Sequence, residues 1–211
     1  MKNPLHYQIS EYDCGPTSLL NAISYLFERE EIAPEVIRNI LLYCLDCYSA
    51  DGRPGKCGTS HAAMMFLSNW LNGYGQTGQM PVHSKYLSGE EVFLGITGKV
   101  TDALRRGGVA VVRLYEEEEH YVLLTKQDGD QVYMFDPYFA EESVLAEVFR
   151  SEDIRYVTDA PYSHNRIVCE QCFNREDNSC YSLGPAANRE AILIFNSATM
   201  QSEEKTIEYF I

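Results

Sequence analysis

The sequence predicts an α+β protein in which N-terminal helices pack on an antiparallel β-sheet. Its 211 residues, of which 45% are hydrophobic and 12% aromatic, suffice to bury one sizeable core. Apolar side chains recur at helical spacing before about Met80, whereas short apolar runs with strand character follow it. Because helices followed by hairpin-joined strands are typical of the α+β class, we expect a single domain over residues 1–211. Within it, the polar stretch 161–188 is predicted to be an insertion or an irregular cysteine-containing segment.

Helices are predicted mainly in the first half of the chain. Leucine, isoleucine and phenylalanine side chains share one face from Cys14 to Phe27, and Asp13 stands at the position of an N-cap. Cys14 therefore lies at the N-terminus of the first predicted helix. Three further helices are predicted to begin at Pro34, at Thr59 or Ser60, and at Thr101.

Strands dominate the second half. The runs are short, rich in β-branched and aromatic residues, and separated by Gly, Pro, Asp or Asn. This spacing indicates hairpins and hence an antiparallel sheet. The predicted strands are Val109–Tyr115, Tyr121–Thr125, Val132–Phe135, Arg155–Thr158 and Ala191–Phe195.

One hairpin joins two residues of chemical interest. Asp128-Gly129 is a preferred two-residue turn, and it lies between the second and third predicted strands. A turn centred at Asp128, or between Asp128 and Gly129, places His120 opposite Asp136 or its immediate neighbour. Cross-strand side chains lie a few ångströms apart, so we expect His120 and Asp136 to be in contact.

Charge and hydropathy exclude several classes of protein. Seventeen Lys and Arg residues against 31 Asp and Glu residues give a formal charge of −14, which repels nucleic acid and anionic headgroups. The apolar stretches are shorter than the roughly 18 residues that a spanning helix needs. The first residues lack the apolar region of a secretory signal. We therefore expect a cytoplasmic protein that neither binds nucleic acid nor inserts into a membrane.

Four residues have the chemical types that cysteine acyl transfer requires. The chemistry needs a thiolate, a base, a group that orients the base and donors for the developing oxyanion. Cys14 lies where a helix dipole favours the thiolate. His120 is the candidate base, Asp136 the orienting acid, and Gln8 the oxyanion donor beside the N–H of Cys14.

The motifs that carry these residues resemble the C39-like cysteine peptidases, a papain-like family whose relatives include double-glycine leader peptidase domains. The resemblance covers roughly Leu5 to Phe149, and it implies a papain-like fold and a thiol protease that needs no cofactor. It gives Cys14 as nucleophile, His120 as base, Asp136 as orienting acid and Gln8 as oxyanion donor. The matching motifs are Gln8-x5-Asp13-Cys14-Gly15-Pro16-Thr17-Ser18-Leu19, Glu119-His120-Tyr121-Val122-Leu123-Leu124 and Tyr133-Met134-Phe135-Asp136-Pro137.

The substrate class is left broad. The resemblance implies hydrolysis of a peptide or another amide, and the sequence leaves the oligomeric state open. Two alternatives stay open as well: an acyltransferase that uses the same acyl-enzyme, and a catalytically silent domain that binds peptide in the same cleft.

Two other patterns require interpretation. The four carboxylates of Glu116–Glu119 precede His120, and we expect them to raise the pKa of its imidazole and to favour amine-bearing substrates. Seven cysteines leave at least one thiol unpaired. We expect no metal site and interpret the cysteines as ordinary thiols. The alternatives are regulatory disulfides and a zinc ion bound by two Cys-x2-Cys pairs. Those alternative zinc ligands are Cys44, Cys47, Cys169 and Cys172.

Overall fold

A seven-stranded antiparallel sheet organises the protein, whose computed structural model describes residues 1–116, 118–139 and 153–201. The predicted α+β class and antiparallel sheet are confirmed. The strands are β1 (Val82–Ser88), β2 (Val109–Glu116), β3 (Glu118–Asp128), β4 (Gln131–Phe135), β5 (Ile154–Tyr156), β6 (Arg166–Cys169) and β7 (Glu190–Asn196). Their order across the sheet is β1-β7-β2-β3-β4-β6-β5.

The helices begin close to where their sequence signals predict. Pro34 occupies the first turn of its helix, and the side chain of Ser60 accepts the N–H of Ala63 as an N-cap at 3.1 Å. In the described residues they are α1 (Cys14–Leu26), α2 (Pro34–Tyr43), α3 (His61–Gln76), α4 (Lys99–Arg105) and α5 (Glu170–Phe173).

Both faces of the sheet are buried. Alternate residues of a strand point to opposite faces, so Val109 and Val111 belong to one core cluster while Ala110 and Val112 belong to the other. Helices α1, α2 and α3 supply the first cluster. Helices α4 and α5, with the segment that leads into β7, supply the second.

The segment 161–188 contributes directly to the sheet. It contains β6, which pairs with β4 on one side and β5 on the other, and it continues into α5. Strand β1, which pairs with β7 at the other edge, also lies outside the predicted strands. The fourth predicted strand, at Arg155–Thr158, is found as β5, which begins one residue earlier and ends at Tyr156.

The register of the β3–β4 hairpin differs from the prediction. Asp128 pairs with Gln131, so the turn residues are Gly129 and Asp130, with Gly129 at φ +60°. A bulge between Leu124 and Lys126 moves the ladder back by one residue, so that Leu123 pairs with Phe135. The predicted pairing of His120 with Asp136 or its immediate neighbour is therefore wrong by one or two positions, because this register extrapolates to residue 138 opposite His120. Asp136 is instead a diagonal neighbour beyond the end of the ladder.

Candidate functional site

Cys14 is the first residue of α1, and it lines a cleft at the protein surface. The residue is 8% exposed. The N–H groups of a helix's first turn lack intrahelical acceptors and attract negative charge. Asp13 occupies the predicted N-cap position, but its side chain accepts no backbone N–H of the first turn, so the expected side-chain cap is not formed. Its carboxylate turns back to the N–H groups of Ile9 and Ser10 instead.

Three of the four predicted site residues lie together. Nε2 of His120 lies 2.8 Å from Oδ1 of Asp136, and the side chain of Cys14 is close enough to the imidazole to contribute to its raised pKa. Because Nε2 faces the carboxylate, Nδ1 is the ring nitrogen left for the thiol. His120 is 8% exposed and Asp136 is fully buried. The sequence-predicted contact of His120 with Asp136 is thus present.

The electrostatics of this pair favour its charged form. Burial opposes a charge on His120, but the charge of Asp136 and the hydrogen bonds to Asp136 and Cys14 outweigh it, so the pKa of His120 is raised well above its ordinary value. Burial likewise opposes ionisation of Asp136. The charge and hydrogen bond of His120, with the charge of Arg166, nevertheless lower the pKa of that carboxyl.

Residues that the sequence analysis did not select hold Asp136 in place. Its Oδ1 also accepts the N–H of Tyr138 at 2.9 Å, and its Oδ2 accepts the phenol of Tyr181 at 2.9 Å. The side chain of Asn165 binds the backbone of Asp136 twice: it accepts the N–H at 2.8 Å and donates to the C=O at 2.7 Å. Both carboxylate oxygens and the backbone of Asp136 are therefore fixed.

Arg166 extends this buried network. Its Nε donates to the phenol oxygen of Tyr181 at 3.2 Å, and its guanidinium lies 4.4 Å from the centre of the Tyr156 ring. Tyr181 is fully buried with φ +61°, an uncommon conformation for a tyrosine. The sequence carries no signal for either residue, because neighbouring side chains of a strand point to opposite faces and the partners of Arg166 are found only in the folded protein.

Gln8, the predicted oxyanion donor, lies between the Cys14 and Asp136 segments. Its backbone N–H donates to the C=O of Pro137 at 2.8 Å, and its Nε2 donates to the C=O of Ser10 at 2.8 Å. Its Oε1 is buried and has no hydrogen-bond partner among the described residues. An orphan acceptor of this kind costs about 1–3 kcal/mol and requires an explanation. Neither of these hydrogen bonds is to Cys14.

A cleft of about 650 Å³ runs past Cys14. Tyrosine rings and charged side chains line it. Of its basic groups, Arg113 is bound to Glu119 at 2.7 Å, and the Lys56 ammonium lies 4.8 Å from the centre of the Tyr12 ring. Two further acids, Glu11 and Glu118, lie on the cleft and form no ion pair within the described part of the chain. The lining residues are Glu11, Tyr12, Cys14, Lys56, Cys57, Gly58, Thr59, Arg113, Tyr115, Glu118, Glu119 and Tyr121.

The carboxylates that precede His120 have different surroundings. Oε2 of Glu116 lies 3.6 Å from Nε2 of His120, and Glu118 and Glu119 line the cleft. Glu117 lies outside the described residues. Glu116, His120 and Asp136 each offer one potential metal-ligand atom, and these three atoms lie within 4.8 Å of one another. Among the described residues, this is the group whose spacing would suit a metal ion.

The alternative four-thiolate zinc site is not formed. Cys44 belongs to the core cluster under α1–α3, whereas Cys169 and Cys172 pack in the cluster on the opposite face of the sheet. Cys44, Cys47, Cys169 and Cys172 are free thiols and do not converge. The idea that they share a metal is wrong because the sheet separates the two pairs. Burial raises the pKa of Cys44 to about 12, which also disfavours a thiolate ligand there.

Comparisons with known proteins assign neither a family nor a function to this sequence. No model of a known protein family matches the sequence, and no curated protein matches it. Within the described residues, none of the helices combines the length and apolar character needed to cross a membrane.

Proposed function

We propose that this protein is a cysteine peptidase or amide hydrolase that works through an acyl-enzyme on Cys14. The observation that carries the proposal is the buried hydrogen bond between His120 and Asp136, with the side chain of Cys14 beside the same imidazole. A structural cysteine needs no imidazole at its thiol, and a surface histidine needs no buried carboxylate behind it. The arrangement is that of a nucleophile, a base and an orienting acid.

The reaction follows from these positions. The thiolate of Cys14 attacks the amide carbon, the C–S bond forms, and the carbonyl oxygen takes up the negative charge. The protonated imidazole of His120 gives its proton to the leaving nitrogen, and the C–N bond breaks. Water then attacks the thioester while His120 accepts its proton, the new C–O bond forms, the C–S bond breaks to restore the thiolate of Cys14, and the carboxylic acid product leaves. Asp136 keeps Nδ1 of His120 directed at the thiol and stabilises the imidazolium.

The oxyanion requires donors at the N-terminus of α1. The N–H of Cys14 and one N–H of the Gln8 amide are the proposed pair, as the resemblance to the C39-like family implies. Asp13 leaves the first-turn N–H groups uncapped, which supports this assignment. The helices packed on an antiparallel sheet are compatible with the papain-like fold, which we include in the proposal together with a cytoplasmic location.

The test uses a pool of peptides as substrate and mass spectrometry as readout. The unaltered protein is expected to generate new peptide termini, and Cys14→Ala is the matched control that keeps the fold but lacks the nucleophile. Adding an amine such as hydroxylamine distinguishes hydrolysis from acyl transfer, because an acyl-enzyme that prefers the amine yields hydroxamates. Binding of peptides without new termini or hydroxamates in either protein contradicts the proposal and favours a silent peptide-binding domain.

A further inference from the structure

We propose that Asp13 is a positioning residue that holds the segment 8–10, and with it the amide of Gln8, at the N-terminus of α1. This inference rests on the proposed function and adds to it the residue that builds the oxyanion site. Asp13 acts through Gln8 and does not touch the substrate.

The first step of the inference is how the carboxylate of Asp13 is used. Its Oδ1 accepts the N–H of Ser10 at 2.6 Å and the hydroxyl of Ser10 at 2.5 Å, and its Oδ2 accepts the N–H of Ile9 at 2.9 Å. The hydroxyl of Thr17 reaches Oδ2 at 3.2 Å. Three of the four hydrogen bonds therefore bind a loop that precedes the helix, and one anchors the carboxylate to α1.

The second step joins this loop to Gln8. The C=O of Ser10, whose N–H is bound by Asp13, accepts Nε2 of Gln8 at 2.8 Å. The backbone of Gln8 is held on its other side by the C=O of Pro137, the residue after Asp136. Gln8 is thus hydrogen-bonded on one side to the loop that Asp13 holds and on the other side to the segment that follows Asp136. Loss of the Asp13 carboxylate removes one of these two supports.

The third step is the sign of the electrostatic effect. A carboxylate is not a cationic partner that would activate a thiol, so activation of the nucleophile is not the role of Asp13. Burial disfavours its charge, yet the hydrogen bonds from Ser10, Ile9 and Thr17 lower the pKa of Asp13 below its ordinary value. The loop is therefore held by an ionised acid. Positioning of the loop is the role that its hydrogen bonds support.

The test compares two reactions of the same thiol. Iodoacetamide alkylates Cys14 by direct displacement of iodide, which develops no oxyanion. p-Nitrophenyl acetate acylates it through a tetrahedral oxyanion, forming the S–C bond, breaking the C–O bond and releasing nitrophenolate. In Asp13→Asn, we expect the acylation burst at Cys14 to slow by about tenfold or more, because loss of an aligned oxyanion donor typically costs 10²–10³-fold. Alkylation should be unchanged within about twofold, since it develops no oxyanion.

Two further variants act as controls. Asp128→Asn removes an exposed carboxylate at the hairpin end of β3, and both reactions should stay within about twofold of the unaltered protein. Gln8→Ala should slow acylation as Asp13→Asn does. Because Asp13 acts through Gln8, the double variant should be little slower than Gln8→Ala alone.

Three outcomes overturn the proposal. Equal slowing of alkylation and acylation in Asp13→Asn would mean that the variant merely disturbs the fold, and unchanged acylation would mean that the loop needs no such support. Additive losses in the double variant would separate Asp13 from Gln8. Failure of the proposed function is recognised differently, because the unaltered protein then shows no acylation burst at Cys14, and the role of Asp13 falls with it.

Discussion

The phenol of Tyr181 donates a hydrogen bond to Oδ2 of Asp136 at 2.9 Å, while Oδ1 of the same carboxylate lies 2.8 Å from Nε2 of His120. The carboxylate is therefore held from both sides and cannot turn away from the imidazole. The two residues come from distant parts of the chain, with Tyr181 on the segment between α5 and β7. This segment contributes to the candidate site as well as to the fold.

Replacing Tyr181 by Phe should destabilise the protein. The substitution leaves Oδ2 of the buried Asp136 without the phenol donor, and an unsatisfied buried acceptor costs about 1–3 kcal/mol, with more for a charged group. Urea unfolding monitored by circular dichroism measures the change. Tyr162→Phe, at a residue that is 55% exposed, is the matched control and should stay within about 0.5 kcal/mol of the unaltered protein. Equal stability of the two variants would contradict this prediction.

The His120–Asp136 pair should make stability depend on pH in a defined window. The pKa of Asp136 is lowered in the folded state, so its contribution is present above its ordinary value of 3.8 and is lost as the pH falls through the lowered pKa. The pKa of His120 is raised, so its contribution is present below 6.5 and is lost as the pH rises through the raised pKa. Both contributions are present between these two values.

Asp136→Asn tests that window. The difference in the free energy of unfolding between the unaltered protein and the variant should be largest between pH 3.8 and 6.5, on the order of 3 kcal/mol for a broken buried pair, and should shrink on both sides. Urea titrations across the pH range measure it. A difference that is constant with pH, or that grows in alkali, would show that the pair is not charged in the folded protein.

Gly15 should tolerate no side chain. A Cβ at this position would lie 2.8 Å from Oγ1 and 3.0 Å from Cβ of Thr59, so Gly15→Ala forces the start of α1 away from the loop that lines the cleft. We expect a loss of stability of about 1–3 kcal/mol and slower alkylation of Cys14. Gly73→Ala in α3 is the control, because nothing lies within 4 Å of its Cβ, and the helix should gain about 0.5–1 kcal/mol. In thermal unfolding, we expect Gly15→Ala to lower the melting temperature and Gly73→Ala to raise it.

The acidic lining of the cleft should favour cationic reagents. Glu11 and Glu118 form no ion pair within the described residues, and both border the space beside Cys14. The double variant Glu11→Gln/Glu118→Gln should lower the ratio of alkylation rates for bromoethylamine, a cation, over iodoacetate, an anion, by about tenfold at Cys14. Asp128→Asn changes the net charge at the opposite end of β3 and should alter the ratio by less than about twofold. An equal ratio in all three proteins would contradict a preference for amine-bearing substrates.

The broad fold was predictable because its signals are local. The helical spacing of apolar residues, the proline in the first turn at Pro34 and the N-cap at Ser60 determine where the helices start. Strand β1 gave no comparable signal, since Val82–Ser88 places His, Ser and Lys among its apolar residues. Strand β6 begins with an arginine, Arg166, whose burial depends on Tyr181 and Asn165. Neither strand could be identified without its partners.

The candidate site was predictable in part for the same reason. The contact of His120 with Asp136 follows from the short hairpin between them, and it is present although the observed register differs from the predicted one by one or two residues. The hydrogen bond from Tyr181 to Asp136 could not be inferred, because it joins distant parts of the chain and depends on a tyrosine with positive φ. The direction of the Asp13 side chain was also hidden, because an Asp before a helix usually caps it.

The pairing of Cys14 with His120 is the central claim, and thiol reactivity tests it most directly. The rate at which iodoacetamide alkylates each of the seven cysteines is measured between about pH 5 and pH 8 by peptide mapping, in the unaltered protein and in His120→Ala. We predict that Cys14 reacts well ahead of the other six thiols below pH 7 and loses that lead in His120→Ala. A Cys14 that reacts no faster than an ordinary thiol, or equally fast in both proteins, would contradict the account.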